Sequence, residues 1–265
     1  MQRMMLRLLT ALVLAMSCIW VLAANKSDTN YLIPSIAVGE HFSNAFSIAV
    51  AIRAEGFDAV VRRNSGTADY TLKQLGKNKD LTFETSDLYD GSAGDQAENI
   101  IRDGGATSCW KGECRSYTDA SGLLYNRLLW GQPPAHLKVG MTWQVAIGQA
   151  WELGPAGSQL VTVTYLDKEN GIVTLNREGT AVGAFANESP QVSLVKDGTH
   201  VTLDVTPGQA HWNGYTTFRH GIVLSDELLV VRHDTMHSEA TGTIKAITRR
   251  YMLLNAAPYP TLQRL

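Results

Sequence analysis

The stretch Arg232–His237, RHDTMH, sets two imidazoles four residues apart with a carboxylate between them, the residue types of a zinc site or of a proton-transfer site. The backbone decides between these. On a helix, positions i and i+4 share a face, and His233 and His237 would chelate one ion. The flanking runs ELLVVR and GTIKAITRR read instead as strand leading to a hairpin end. On a strand, residues four apart stand roughly 13 Å from each other, whereas zinc holds its nitrogens at about 2 Å. The spacing therefore predicts no metal site, with both histidines outward or at a rim.

Three further constellations fail on similar grounds. Ser193 and Lys196, in SLVK, have the spacing of a serine nucleophile and its lysine base, a chemistry that needs both on one helix face. Pro190 before them and Asp197-Gly198 after them mark a short strand, which points the pair to opposite sides. Asp226 and Glu227 are adjacent on another strand and diverge in the same way, so they cannot act together as a glycosidase pair. The seven histidines are scattered, and His200, His211 and His220 meet only if the fold brings them together. A serine elbow, H-E-x-x-H, a phosphate loop and a dinucleotide fingerprint are all missing. No catalytic residue and no cofactor are assigned.

The cysteines carry a clearer message. Cys109 and Cys114, in SCWKGECRS, are five apart with Gly112 available for a turn, which predicts an intrachain disulfide in an oxidising compartment. A redox pair normally has two intervening residues, and a zinc site needs two more ligands. The third cysteine, Cys18, sits in an N-terminal stretch with Arg3 and Arg7, an uncharged apolar run from Leu8 to Leu22, and Val21-Leu22-Ala23 as a cleavage end. This is the pattern of a secretory signal over residues 1–23. An uncleaved anchor or a lipidated Cys18 are the other readings of the same stretch. No second apolar run of that length follows, so no membrane span is expected after cleavage, and the product is expected in the periplasm or secreted.

Lys and Arg number 23 against 25 Asp and Glu, interspersed and without a basic stripe, which argues against a nucleic-acid partner. Most of the chain shows a period of two. FDAVVRR and TADYTLKQL flank Asn64-Ser65-Gly66, which reads as a hairpin turn, and GKNKD leads into LTFETSDLY. Residues 90–108 have no sustained period beyond one helical turn near Gln96–Arg102, and read as a mobile loop or boundary. Beyond Met141, MTWQVAI, QLVTVTYLD, GIVTLNRE, QVSLVKD, HVTLDVTP, IVLSDELLVVRHD and GTIKAITRRYMLLN all read as strands. FSNAFSIAVAIRA, residues 42–54, fits strand and helix almost equally, with strand preferred.

The organisation that follows is a signal (1–23), an N-terminal segment of unsettled structure (24–56) and a first β meander with the disulfide loop (57–130). A connector made extended by Pro133-Pro134 (131–140) then leads to a second antiparallel region (141–265), separate from the first or continuous with it. The fold class is mainly β: an antiparallel curved sheet, barrel-like or sandwich, with little helix.

Two functions fit. One is an exported, non-enzymatic envelope protein that binds a small apolar ligand or an envelope protein through a sheet surface or cavity, with Trp143, Trp151, His211, Trp212 and Tyr215 as ligand contacts. The other is an envelope hydrolase that gathers His and Asp or Glu from separate strands. Convergence of His211, His220, His233 and His237 in one pocket would favour the second.

Overall fold

The computed structural model of the protein describes residues 31–76, 81–89, 92–102, 105–117 and 123–256, so the expected signal lies outside the described residues. Alternating side chains need a pleated backbone with one wet and one dry face, and the described residues satisfy this with fourteen strands. These are β1 (His41–Ala54), β2 (Val60–Leu75), β3 (Leu81–Tyr89), β4 (Ser92–Arg102), β5 (Gly105–Trp110), β6 (Glu113–Tyr117) and β7 (Thr142–Ile147). They continue as β8 (Gly157–Asp167), β9 (Ile172–Val182), β10 (Gln191–Lys196), β11 (Thr199–Thr206), β12 (Gln209–Arg219), β13 (Ile222–Ser238) and β14 (Gly242–Ala256). A single helical turn, α1 (Arg127–Trp130), is capped by the Asn126 side chain, which accepts from Leu128 N at 2.9 Å.

The strands form one mainly antiparallel β-sheet in the order β6-β5-β4-β3-β2-β1-β14-β13-β12-β9-β8-β7, with β10 on β11 and β11 on the far half of β13. The sheet is not closed, since β6 and β7 end the path. The first and last strands join the two halves: β1 pairs with β14 from Asn44↔Ala256 to Ala54↔Ala246.

Two sequence expectations are corrected here. Asn64-Ser65-Gly66 does not turn, because β2 runs straight through it, opposite Ile48, Ser47 and Phe46 of β1. Turn-prone residues permit a hairpin without enforcing one, and continuous long-range pairing with β1 prevails. Residues 90–108 are not an irregular loop: Ser92–Arg102 and Gly105–Trp110 are β4 and β5, paired to β3 and to each other. Their weak alternation hid them, since backbone pairing alone defines a strand ladder. A third difference is β12, whose HWNGY reads in sequence as an aromatic cluster after a turn. It is a strand between β9 and β13, with Ala210, Trp212, Thr216 and Phe218 buried.

Cys109 and Cys114 are direct partners in the β5–β6 hairpin and are disulfide-bonded, with Cα atoms 4.1 Å apart. So short a loop is worth about 2 kcal/mol on the chain-entropy model, a local staple at the sheet's edge.

One face of the sheet is covered and the other open. Leu129 and Trp130 of α1, Leu137 of the proline connector, Trp151 and Leu153, and Phe185 lie over the strands from β7 to β13. Leu123 and Leu124 cover Tyr70 and Phe83, and the β10–β11 hairpin brings Leu194 and Leu203 onto Met236 and Ala246. Packing is close at Gly179, where an added methyl would run into the Trp212 indole. Gly179→Ala is therefore expected to cost about 1–3 kcal/mol in urea unfolding. Gly148→Ala, with nothing within 4 Å of the new methyl, should move the midpoint little.

Candidate functional site

The parity of β13 separates the residues of RHDTMH. Arg232, Asp234 and Met236 turn to the covered face, and His233 and His237 to the open one. Arg232 is 0% exposed, and its guanidinium is fully engaged. Nε donates to Asp234 Oδ1 at 2.5 Å, while Nη1 and Nη2 donate to the two oxygens of Glu188 at 2.6 and 2.7 Å. Thr248 Oγ1 donates to Asp234 Oδ2 at 2.6 Å. Burial works against the charge of Arg232, but the hydrogen bonds to Glu188 and Asp234 outweigh it and hold the group above its ordinary range. Phe185 lies between two cations, its ring 4.2 Å from Arg232 Cζ and 3.8 Å from Arg250 Cζ. Burial pulls Arg250 below its ordinary value, with Glu188 opposing.

A second buried ion pair lies across β9 and β13. Arg177 Nη2 donates to both oxygens of Asp226, at 2.9 and 2.8 Å, and Thr216 Oγ1 donates to Asp226 Oδ1 at 2.5 Å. The guanidinium faces Trp130 at 4.7 Å and Trp151 at 5.5 Å. Asp226 is buried and Glu227 exposed, so the two diverge as their adjacency predicts.

The five expected ligand contacts do not share a cavity. Trp151 and Trp212 are 0% and 3% exposed, and Trp143 packs against the same cluster. Their polar tips are occupied inward for two of the three: Trp143 Nε1 donates to Trp130 O at 2.7 Å, and Trp212 Nε1 to Gln159 Oε1 at 2.9 Å. His211 and Tyr215 lie on the opposite, open face. There His211 lines a groove of about 560 Å³ with Leu160, Leu229, Val231 and Glu178, and Trp212 borders the same groove. His220 lines a different cavity from His211.

That second cavity, about 570 Å³, lies beside Ala256, the last described residue of β14. Ala256 stands opposite Asn44 of β1, and the last described pair of β14 with β13 is Asn255↔Ser225. Residues 41–43 of β1 and 222–224 of β13 border the cavity. Leu124 bridges to Ile222, and Leu123 O accepts from Val223 N at 2.8 Å, which satisfies part of the β13 edge. The remaining space is lined by Phe42, Ile222, Val223 and Leu224, with His41, Ser43, Arg219 and His220 among the polar groups. Leu224 is the extra residue of a β-bulge, since Thr217↔Ser225 is followed by Phe218↔Val223.

His41, Ser43 and Asp69 meet at this cavity, but not in the order of a nucleophilic triad. Ser43 Oγ donates to Asp69 Oδ1 and stands 3.3 Å from His41 Nε2, while His41 Nδ1 meets the Thr71 hydroxyl at 3.2 Å. A triad needs the imidazole to take the serine proton and the carboxylate to orient the imidazole. Here the carboxylate holds the serine, and His41 and Asp69 are wet, with side chains 57% and 46% exposed.

Comparison with known proteins finds no matching family model and no matching curated sequence. Among solved structures, the chain is similar to lipovitellin, studied for its lipid–protein interactions, at 9% identity over 87% of this chain, with a TM-score of 0.42. It spans only 27% of the lipovitellin chain. A DUF1329 family protein from Desulfovibrio piger aligns over 89% of both chains at 12% identity, with a TM-score of 0.22. Both likenesses are too distant to carry function.

Sequence reasoning missed the buried arginines and the cavity. The arginines had a signal: Arg177 shares the parity of Val173 and Leu175, and Arg232 that of Leu228 and Val230. The cavity had none, because its lining comes from the start of β1, far in sequence from the β12–β13 turn and the start of β13 that complete it. Removing one partner of a buried pair strands the other charge, so Asp226→Ala is expected to cost about 3–5 kcal/mol. The double variant Arg177→Met/Asp226→Leu should recover most of that loss in a urea double-mutant cycle.

Proposed function

We propose that the chain is an exported, non-enzymatic binding protein whose ligand is apolar and sits in the cavity at the end of β14. The observation that carries this reading is the half-enclosed space lined by Phe42, Ile222, Val223 and Leu224 on a sheet whose remaining covered face is closely packed. Its volume lies in the range of small-molecule sites, roughly 300–1,000 Å³. Of the expected contacts, Trp143 and Trp151 then support the scaffold, His211 and Trp212 line a separate groove, and Tyr215 lies on the open face. The disulfide favours an oxidising compartment, in keeping with a cleaved signal over residues 1–23. Amino-terminal sequencing of the exported protein should begin at Ala24; retention of Met1 would leave the anchor reading in its place.

The hydrolase alternative has one observation in its favour, the meeting of His41, Ser43 and Asp69 from two strands. Their wiring argues against it. Any ester hydrolysis by the preparation should survive Ser43→Ala unchanged, and its loss would restore the enzyme reading.

Binding is tested with a neutral solvatochromic dye such as Nile red, titrated into the full chain. Saturable binding near one dye per chain is expected, weakened at least about tenfold by a charge in the floor, Ile222→Asp or Leu224→Asp. Equal binding by both variants, with circular dichroism unchanged, would remove the cavity from consideration.

A further inference from the structure

We infer that the ligand of this cavity carries an oxyanion head: it is a single-chain amphiphile with a carboxylate or phosphate ester at one end, held by Arg219. This rests on the proposed apolar binding and adds to it the chemistry of the polar end.

The hairpin that joins β12 to β13 brings cation and apolar floor together. Arg219 and Ile222 are Cα partners across the turn His220-Gly221, whose φ values of 47° and 75° are those of a two-residue turn with both central positions left-handed. Such a turn fixes its flanking residues opposite each other on one face. The Arg219 stem therefore starts beside Ile222, and a tail lying on Phe42, Ile222 and Leu224 places its head at the guanidinium.

The state of that guanidinium sets it apart from the interior ones. Arg177, Arg232 and Arg250 are each engaged, by Asp226, by Glu188 with Asp234, and by Glu152 O at 2.6 Å. The Arg219 guanidinium, exposed at the cavity's rim, has no ion pair or hydrogen bond with any described residue. The nearby acids are committed elsewhere: Glu40 Oε2 accepts from Ala37 N at 2.9 Å, and Asp69 accepts from Ser43. An incoming oxyanion thus meets a planar fork of donors without displacing a protein carboxylate. His220, its ring over Gly171, and the His41 imidazole add donors on the same rim. A neutral alcohol would gain the floor but not the charge-assisted bonds.

The test compares dodecanoate, dodecyl phosphate and dodecanol, each below its aggregation threshold, by calorimetric titration of the full chain. The parent, Arg219→Gln and Arg249→Gln are used, the last removing an exposed arginine from the open face. At least one anion should bind about tenfold more tightly than the alcohol, and the stronger of the two identifies the head. Arg219→Gln should abolish that preference and leave dodecanol binding unchanged, with Arg249→Gln behaving as the parent. If the alcohol binds as well as both anions, or if Arg219→Gln keeps the preference, or if both variants lose it alike, the headgroup inference fails while apolar binding stands. If none of the three binds, the proposed function fails with it.

Discussion

The pairing of β14 between β1 and β13 is the constraint from which the rest of the structure follows. It joins the first strand of the chain to the last, so residues about two hundred apart in sequence become neighbours, and two meanders become a single sheet. Beside Ala256, the last described residue of β14, residues 41–43 of β1 and 222–224 of β13 border a cavity. Leu123 and Leu124 take up part of it, and apolar side chains from both flanking strands line what remains. Strand register thus supplies both the stability of the sheet and the position of the candidate site.

Behind the cavity, the covered face is held by an unusual number of interior ions. Arg177 and Arg232 occupy positions where alternation would place aliphatic side chains, and each reaches its carboxylates while stacking on aromatic rings. Buried pairs of this kind contribute orientation more than net stability, since desolvation offsets much of their attraction. Their geometry fits that role. Glu188 is drawn onto the sheet by Arg232, and Phe185, three residues earlier, is clamped between Arg232 and Arg250. Trp130 of α1 and Trp151 close over Arg177 in the same fashion. The segments that cover the sheet are therefore seated by directional contacts as well as by apolar burial, which leaves the region beside Ala256 as a lined opening.

Much of this was legible in the sequence, and the exceptions have physical causes. Period-two alternation predicts strands where β7 to β11, β13 and β14 stand, and it sends His233 and His237 outward while splitting Asp226 from Glu227. The cysteine spacing predicts the hairpin staple. Alternation says little where side chains are small and polar, as in β4, and turn-prone triplets mislead where a strand is paired along its length, as at Asn64-Ser65-Gly66. The grouping of Trp143, Trp151 and Trp212 with His211 and Tyr215 rests on residue type; by parity Trp212 points in and His211 and Tyr215 out, while His211 and Trp212 line one groove. The cavity's residues come from the start of β1 and the β12–β13 turn, and no local pattern links them.

The most direct test of this account is a crystal of the full chain soaked with 1-bromododecane, with the bromine located by anomalous scattering. The account predicts a peak in contact with Phe42, Ile222 or Leu224, in the cavity beside Ala256. A peak in the open-face groove beside Leu229 and Val231, with none in that cavity, would contradict it.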